Sequence, residues 1–211
     1  PVFKDYLWGG TKLRDEYGFQ SDLEKLAEGW MLSCHKDGEN TIENGEYKGK
    51  TLTEIVKLNP NFLGENGKNF EYFPILIKLI DAKNDLSVQV HPDNEYAMRV
   101  EKEYGKTECW YIIDCKEDAD MIFGHTAKTK EELKKQIEEA NWSGLLQRVK
   151  IKPGDFFYVP SGTVHALCQG TLVLETQQSS DTTYRLYDYD RLDVDGNKRE
   201  LHLQKSIDVT T

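Results

Sequence analysis

Short runs of alternating apolar and polar residues, separated by Gly and Pro turns, fill the chain from residue 74 to residue 187. A period of two is typical of β-strands whose two faces meet different surroundings. Strands this short and this numerous favour a sandwich or a barrel. The predicted strands cover residues 74–81, 87–91, 108–114, 120–123, 145–151, 155–160, 164–167, 172–178 and 183–187.

Helices are predicted where a Ser or Thr is followed three residues later by Glu, because this pair forms a capping box at a helix start. Three boxes occur, at Ser21/Glu24, Thr51/Glu54 and Thr129/Glu132. They predict helices from residue 21 towards residue 30, from 51 to 58 and over 130–140, and a fourth is predicted over 94–103. The final residues, 206–211, read as the start of a strand, which suggests a truncated chain.

These elements predict one mainly β domain over residues 1–211, a β-barrel decorated with a few α-helices. Most of the helices fall in the first half, so α+β decoration is expected over about residues 1–70. A charged helical insertion is expected over about residues 129–142. No repeat, linker or low-complexity tract divides the chain.

Charge excludes some classes of partner. The 211 residues carry a net charge of -10, which disfavours binding to nucleic acid, and any anion site must be local. No apolar run reaches membrane-spanning length, and the first residues lack the regions of a signal peptide. Four cysteines without a CxxC pair read as reduced thiols. We expect a cytoplasmic protein, monomeric or homodimeric, that acts on a small molecule.

Polar side chains recur at positions that should face a core. Ser87, Gln89 and His91 share one face of the predicted strand 87–91, because side chains alternate along a strand. Glu108 opens a strand of mostly apolar residues, and Lys106 shares its face. Buried polar groups of this kind need a partner. The pattern indicates a site that binds something inside the barrel.

A second histidine arrives through the segment Gly154-Asp-Phe-Phe-Tyr-Val-Pro-Ser-Gly-Thr-Val-His165, in which Pro160 and Gly162 make a tight turn and His165 begins the returning strand. The imidazoles of His91 and His165, a carboxylate and an amide oxygen suit zinc, with manganese, iron or cobalt as alternatives. Water or substrate would complete the shell, as in a catalytic site. The alternative is a buried polar cluster satisfied by hydrogen bonds.

The segment Gly154 to His165 has the form GDxxxxPxGxxH of a second cupin motif, and the chain as a whole resembles the low-molecular-weight, type I mannose-6-phosphate isomerases (phosphomannose isomerases). The resemblance implies a cupin-type jelly-roll barrel and a zinc-dependent interconversion of mannose 6-phosphate and fructose 6-phosphate through an enediol. Relatives continue into a second, C-terminal cupin-like domain, which is expected to be absent here. The resemblance is carried by residues 7–10, 28–33, 73–78, 87–92, 105–111, 154–165 and 174–191.

The resemblance also implies roles for single residues. The ligand pattern of the family falls on Gln89, His91, Glu108 and His165, its catalytic arginine on Arg185, and its lysine beside the ligand carboxylate on Lys106. Ser87 matches a phosphate-contacting serine, and Arg191 takes the place of a basic phosphate-binding residue. We add Lys78 as a further candidate for the phosphate, and Glu175 and Lys106 as candidates for the acid and base.

Each added role has a plainer alternative. Glu175 could form an ion pair with Arg185, Lys106 could form a salt bridge to a carboxylate, and Arg191 could pair with nearby aspartates at the surface. Two other functions are considered for the whole chain. One is an iron-dependent cupin dioxygenase, which needs an apolar substrate pocket. The other is a non-catalytic sugar-binding or regulatory cupin, in which loss of a metal ligand would be expected.

Overall fold

The computed structural model describes residues 1–70, 72–193 and 195–211. Its strands are β1 (Val2–Lys4), β2 (Glu28–Leu32), β3 (Ile75–Ala82), β4 (Val88–Val90), β5 (Glu108–Cys115), β6 (Asp120–His125), β7 (Leu146–Lys150), β8 (Phe156–Val159), β9 (His165–Ala166), β10 (Thr171–Gln178) and β11 (Tyr184–Tyr187). Its helices are α1 (Lys12–Asp15), α2 (Leu52–Leu58), α3 (Gly64–Gly67), α4 (Asn94–Val100), α5 (Lys130–Glu138), α6 (Trp142–Leu145) and α7 (Leu203–Val209), with a 3-10 turn at Pro60–Leu63.

The strands form two antiparallel sheets. One sheet has six strands in the order β1-β2-β3-β10-β5-β8, and the other has five in the order β11-β4-β9-β6-β7. Each of the nine strands predicted from residue 74 onward is present, so alternation located them correctly. The prediction of a mainly β fold with helical decoration is confirmed.

The main core lies between the two sheets. Ile80 of β3, Trp110 of β5 and Val173 of β10 belong to the same buried cluster as Met121 of β6. Burying such side chains removes apolar surface from water at about 25 cal/mol per Å², which is the chief force that holds the sheets together. The two sheets therefore pack face to face and enclose the barrel interior.

Helices cover the outer face of the five-stranded sheet. Leu133 and Ile137 of α5 and Leu145 of α6 form one cluster with Ile122 of β6 and Ala166 of β9. The opposite side of α5 is charged and exposed, as predicted for a surface helix. Within the described residues, no helix combines the length and the apolar character needed to cross a membrane.

One of the three predicted capping boxes forms in full, at Thr51/Glu54, whereas at Thr129 only the cap by the threonine side chain forms, because the Glu132 carboxylate accepts from the Lys128 amide instead. Thr51 Oγ1 accepts from the Glu54 amide at 3.2 Å, and the Glu54 carboxylate accepts from the Thr51 amide at 2.7 Å. Thr129 Oγ1 accepts from the Glu132 amide at 3.2 Å at the start of α5. The helix predicted over 94–103 ends earlier, at Val100.

The helix predicted from Ser21 is wrong. The Ser21 hydroxyl accepts from the Leu23 amide at 3.3 Å and closes a local turn, while Glu28–Leu32 is strand β2. The amide of Leu26 donates to the carbonyl of Gly10 at 2.9 Å, so pairing with a distant segment uses the backbone that a helix would need.

The strand predicted over residues 206–211 is also wrong, because residues 203–209 form helix α7. Ile207 and Val209 pack on the cluster beneath α5. Lys130 Nζ donates to the carbonyls of Ile207 and Asp208 at 2.9 and 2.6 Å, which satisfies groups at the C-terminal end of the helix. The pattern of neighbouring residues in the sequence carries no information about these tertiary contacts.

Candidate metal centre and active site

Strand alternation in the six-stranded sheet points charged side chains into the barrel. Lys78 of β3, Glu108 of β5 and Glu175 of β10 are all buried. Glu175 lies opposite Lys78 on one neighbouring strand and opposite Trp110 on the other. The register therefore places Lys78 beside Glu175, and Glu108 lies two residues along β5 from Trp110, opposite Gln177.

The five-stranded sheet supplies the facing side chains. Gln89 of β4 lies opposite His165 of β9 and opposite Arg185 of β11. His91 follows two residues after Gln89 and shares its direction. The residues predicted from each sheet thus meet across the barrel interior.

Three of the predicted ligands form a compact buried cluster. His91 Nε2 lies 3.5 Å from Glu108 Oε2, and His165 Nε2 lies 3.2 Å from Glu108 Oε1. One ligand atom from each of the three residues lies within 4.8 Å of the other two. The fourth predicted ligand, Gln89, has its amide nitrogen 3.4 Å from His165 Nε2, and a 180° turn of the amide would present its oxygen instead.

Backbone carbonyls fix both imidazoles in the form that a metal requires. His91 Nδ1 donates to the Thr182 carbonyl at 3.0 Å, and His165 Nδ1 donates to the Thr163 carbonyl at 2.8 Å. In neutral imidazoles this leaves the lone pair on Nε2, which faces the Glu108 carboxylate in both cases.

Lone pairs therefore face lone pairs inside the barrel. Among the described residues, His91 Nε2 and both oxygens of Glu108 are buried without a hydrogen-bond partner. Such an arrangement is costly unless a cation lies between the groups. Two imidazole nitrogens and a carboxylate are donors that suit zinc and neighbouring divalent metals. The residues present therefore fit a metal ion.

The local charges reinforce this arrangement. Burial, helped by the nearby Lys106 charge, holds the pKa of His91 well below its ordinary value, so the ring is neutral. Burial alone would raise the pKa of Glu108, but the surrounding groups together outweigh it, with Lys106 Nζ at 3.4 Å contributing most, and the pKa lies below its ordinary value. The cluster thus presents a neutral imidazole at His91 and a carboxylate at Glu108, the protonation states in which these groups bind metals.

A cavity of about 250 Å³ opens beside the cluster. Gln89, Lys106 and Trp110 form the part of its wall that contacts the buried ligands. The full lining is Tyr6, Trp8, Glu28, Lys78, Ile80, Leu86, Ser87, Gln89, Lys106, Trp110, Leu167, Glu175, Asp181, Thr183, Arg185 and Arg199. Most of the predicted site residues therefore meet at one cavity.

Glu175 is a buried carboxylate of the cavity wall. Its Oε2 accepts from Trp110 Nε1 at 2.8 Å, whereas its Oε1 has no hydrogen-bond partner among the described residues. Burial, and then the Glu108 charge, raise the pKa of Glu175 above its ordinary value. The considered ion pair with Arg185 is not the observed one, because the cation near Glu175 Oε1 is Lys78 at 3.7 Å.

Lys78 is buried among carboxylates. Its Nζ lies 3.3 Å from Glu28 Oε2 and 4.0 Å from Asp181 Oδ1, in addition to Glu175. Burial alone would lower the pKa of Lys78, but these carboxylates outweigh it and raise the pKa above its ordinary value. Lys78 is therefore a permanent cation at the cavity wall.

A cluster of arginines stands at another part of the wall. Arg199 holds the Asp188 carboxylate with two hydrogen bonds, of 2.7 and 2.6 Å. Burial, and then the positive charge of Arg199, lower the pKa of Arg185, whose buried Nε lacks a partner among the described residues. Guanidinium groups gathered in this way favour an anion.

Arg191 is placed differently from the other predicted residues. It is not among the residues that line the cavity, and its NH2 group pairs with Asp188 Oδ1 at 2.5 Å. Burial opposes ionisation of Asp188, but hydrogen bonds from Arg199 and Arg191 outweigh it and hold the pKa of Asp188 below its ordinary value. Arg191 thus acts on the cavity only indirectly: it binds Asp188, and Asp188 in turn binds Arg199 of the cavity wall.

The sequence reasoning missed three charged residues of the wall. Arg199 lies beyond a Gly-containing polar turn and carries no periodic signal. Asp181 lies in a segment without strand pairing between β10 and β11. Glu28 falls within a segment that carried the family resemblance, but its role depends on its contact with Lys78, which only the three-dimensional structure reveals.

Comparisons with known proteins show that this chain is similar to mannose-6-phosphate isomerases. The family profile described as phosphomannose isomerase type I, catalytic domain, matches residues 1–108. A mannose-6-phosphate isomerase of Bacillus subtilis is 56% identical over 210 residues, which cover 99% of this chain and 66% of the relative. One of Streptococcus mutans is 52% identical over 205 residues, which cover 97% and 64%.

Solved structures agree. The crystal structure of the mannose 6-phosphate isomerase from Bacillus subtilis has a TM-score of 0.95 at 56% identity, covering 100% of this chain and 67% of that chain. A mannose 6-phosphate isomerase bound with zinc and yttrium has a TM-score of 0.76 at 18% identity, covering 99% and 72%, and supports the fold alone. This chain spans about two thirds of the length of these relatives.

Proposed function

This chain belongs to the type I phosphomannose isomerase family, and on that premise we propose that it interconverts mannose 6-phosphate and fructose 6-phosphate. The observation that carries the proposal is the buried cluster of His91, Glu108 and His165, which adjoins a charged cavity. In this cluster His91 Nε2 and both oxygens of Glu108 have no hydrogen-bond partner among the described residues. Its cupin-type fold is the fold of the relatives. A cytoplasmic location, a monomeric or dimeric state and a single domain remain predictions from the sequence.

We propose that His91, His165, Glu108 and Gln89 hold one divalent ion, zinc in the first place. The chemistry that a bound ion supplies at such a site is Lewis-acid polarisation of a carbonyl oxygen. Glu108 brings the charge, and the two imidazoles are oriented beforehand by the carbonyls of Thr182 and Thr163. Manganese, iron and cobalt are alternatives that the donor set also accepts.

Isomerisation through an enediol requires that one proton leave C2 of the aldose and that one arrive at C1. Glu175 suits the role of base, because its Oε1 is unpartnered and its raised pKa makes it a stronger base than an exposed carboxylate. Trp110 holds the other oxygen of Glu175 and so orients the carboxylate. Lys106 can donate a proton or a hydrogen bond to a sugar oxygen, although its observed contact is the salt bridge to Glu108.

The phosphate requires cations at some distance from the metal site. Arg199 lines the cavity as a cation, and Ser87 lines it as a hydrogen-bond donor. Arg185, predicted as the catalytic arginine, lies opposite the proposed ligand Gln89, where it can stabilise negative charge on a sugar oxygen. Lys78 is better placed to hold Glu175 than to reach a phosphate, since carboxylates already surround it. Four cations and three carboxylates in the wall suit a polar sugar phosphate better than the apolar substrate of a dioxygenase.

Replacing Arg199 should weaken binding of the phosphorylated sugar. We expect Arg199→Ala to raise KM by about 10-fold to 100-fold, the effect of losing one charge-assisted hydrogen bond, with kcat within about 3-fold. Arg191→Ala should raise KM less, because Arg191 acts only through Asp188. Lys198→Ala is the control, since Lys198 is exposed and pairs with Asp190. An unchanged KM for Arg199→Ala would remove Arg199 from the phosphate site.

The proposed reaction is tested by following mannose 6-phosphate in D2O by proton NMR with the zinc-loaded protein. We expect fructose 6-phosphate to form and to carry deuterium at C1, because a proton held by a carboxylate exchanges with solvent. Mannose without phosphate should react far more slowly. If zinc is bound and no ketose forms, the chain is a binding module and the proposal fails. Formation of ketose without any deuterium would indicate either that the transferred proton is shielded from solvent or that a hydride moves directly from C2 to C1.

A further inference from the structure

Glu103 is not among the residues that line the cavity beside the metal cluster, yet both oxygens of its carboxylate are hydrogen-bonded. Its Oε1 lies 2.8 Å from His35 Nε2, and its Oε2 accepts from Thr182 Oγ1 at 2.8 Å. Only 18% of its side chain is exposed. Glu103 is therefore a fixed group rather than a solvated surface acid.

His35 must be the donor in its contact with Glu103. The backbone amide of Asp37 donates to His35 Nδ1 at 3.2 Å, so Nδ1 carries the lone pair and Nε2 carries the hydrogen of the neutral ring. The side chain of His35 is 2% exposed, and its ring packs edge-on against Trp30 with centroids 5.7 Å apart. A rigid buried ring therefore sets the position of Glu103.

Thr182 connects Glu103 to the metal cluster. Its hydroxyl donates to Glu103, while its carbonyl accepts the Nδ1 hydrogen of His91 at 3.0 Å. That carbonyl fixes both the tautomer and the ring orientation of His91, and through them the direction of Nε2. A continuous line of hydrogen bonds thus runs from His35 through Glu103 and Thr182 to His91.

The line joins three connecting segments of the chain. His35 follows β2, Glu103 lies between α4 and β5, and Thr182 lies between β10 and β11. The segment that carries Thr182 has no strand pairing, so side chains must hold its carbonyl in place. Besides Glu103, Ser180 Oγ contributes by accepting from the Thr182 amide at 3.2 Å.

We propose that Glu103 is a positioning residue for the metal centre: it fixes the Thr182 carbonyl, and the carbonyl holds His91 ready to bind the ion. The inference rests on the proposed function, because it takes His91 as a metal ligand. It assigns to Glu103 no contact with substrate or metal.

The test measures the zinc dissociation constant of the metal-free protein by competition with a chromogenic chelator. We expect Glu103→Ala and Thr182→Val each to raise this constant about 10-fold, the lower end of what removal of an outer-shell partner costs. Glu103→Gln should stay within about 3-fold, since an amide can accept from His35 and donate to the Thr182 hydroxyl. The double variant Glu103→Ala/Thr182→Val should be no worse than either single one, because both break the same line.

Glu101→Ala is the matched control. Glu101 lies two residues before Glu103, and its carboxylate accepts from Tyr184 and Lys205 rather than joining the line to His91, so the zinc dissociation constant of Glu101→Ala should equal that of the wild type. Thermal unfolding in chelator checks that each variant folds, and Thr182→Val carries the test if Glu103→Ala does not. Normal zinc affinity in a folded Thr182→Val or Glu103→Ala overturns the inference while leaving the proposed function intact. Failure of the wild type to bind zinc overturns both.

Discussion

Glu108→Gln should abolish both metal binding and isomerase activity. The substitution keeps the volume and shape of the side chain but removes the charge that faces the Nε2 atoms of His91 and His165. We expect zinc affinity and kcat/KM each to fall by at least about 1000-fold, which corresponds to roughly 4 kcal/mol of lost stabilisation. The measurements are zinc content after gel filtration and the coupled assay with mannose 6-phosphate.

The control for Glu108→Gln is a check that the variant still folds. The apolar cluster between the sheets does not include Glu108, so circular dichroism should remain that of the wild type in chelator. A variant that keeps near-normal zinc affinity would show that Glu108 is not a ligand. A variant that loses activity but keeps zinc would assign Glu108 a different role and contradict the proposed ligand set.

Glu175→Gln should leave the metal site intact and remove most of the turnover. Gln retains an oxygen that can accept from Trp110 Nε1, and Lys78 keeps Glu28 as a partner, so the local packing should survive. What is lost is the basic oxygen that faces the cavity. We expect kcat to fall by about 100-fold to 10,000-fold, the usual contribution of a positioned acid or base.

Zinc content and KM of Glu175→Gln should stay within about 3-fold of the wild type. A residue that acts only in proton transfer lowers kcat and leaves the binding of metal and substrate unchanged. The control is Glu117→Gln, which changes an exposed glutamate on the turn after β5 and should leave kcat unchanged. Near-normal turnover of Glu175→Gln with zinc bound would remove Glu175 from the acid/base role. Loss of zinc would instead give Glu175 a structural role at the metal centre.

The sequence was most informative where alternation and burial act together. Gln89 and His91 share a strand face by spacing alone, and the inward position of Glu108 follows from the apolar strand around it. Alternation places a side chain on a face but gives no register between strands. The pairing of Gln89 with both His165 and Arg185 therefore had to come from the three-dimensional structure or from a family resemblance.

Contacts made by loops were beyond sequence reasoning. Arg199 reaches the cavity from a polar turn, and Glu103 reaches His91 only through Thr182, 79 residues further along the chain. The failed helix at Ser21 has the same origin, because its capping sequence was outweighed by backbone pairing with a distant segment. Local propensity differs by a few tenths of a kcal/mol per residue, which such tertiary hydrogen bonds readily exceed.

The most direct test of the metal-dependent isomerase site is a zinc titration of the metal-free wild-type protein, with fructose 6-phosphate formation followed at each step. The four proposed ligands form one site, so activity should start near zero, rise in proportion to added zinc and level off at one equivalent per chain. Full turnover by the metal-free protein, or no turnover once one equivalent of zinc is bound, would contradict the assignment of His91, Glu108 and His165 as the centre of an isomerase.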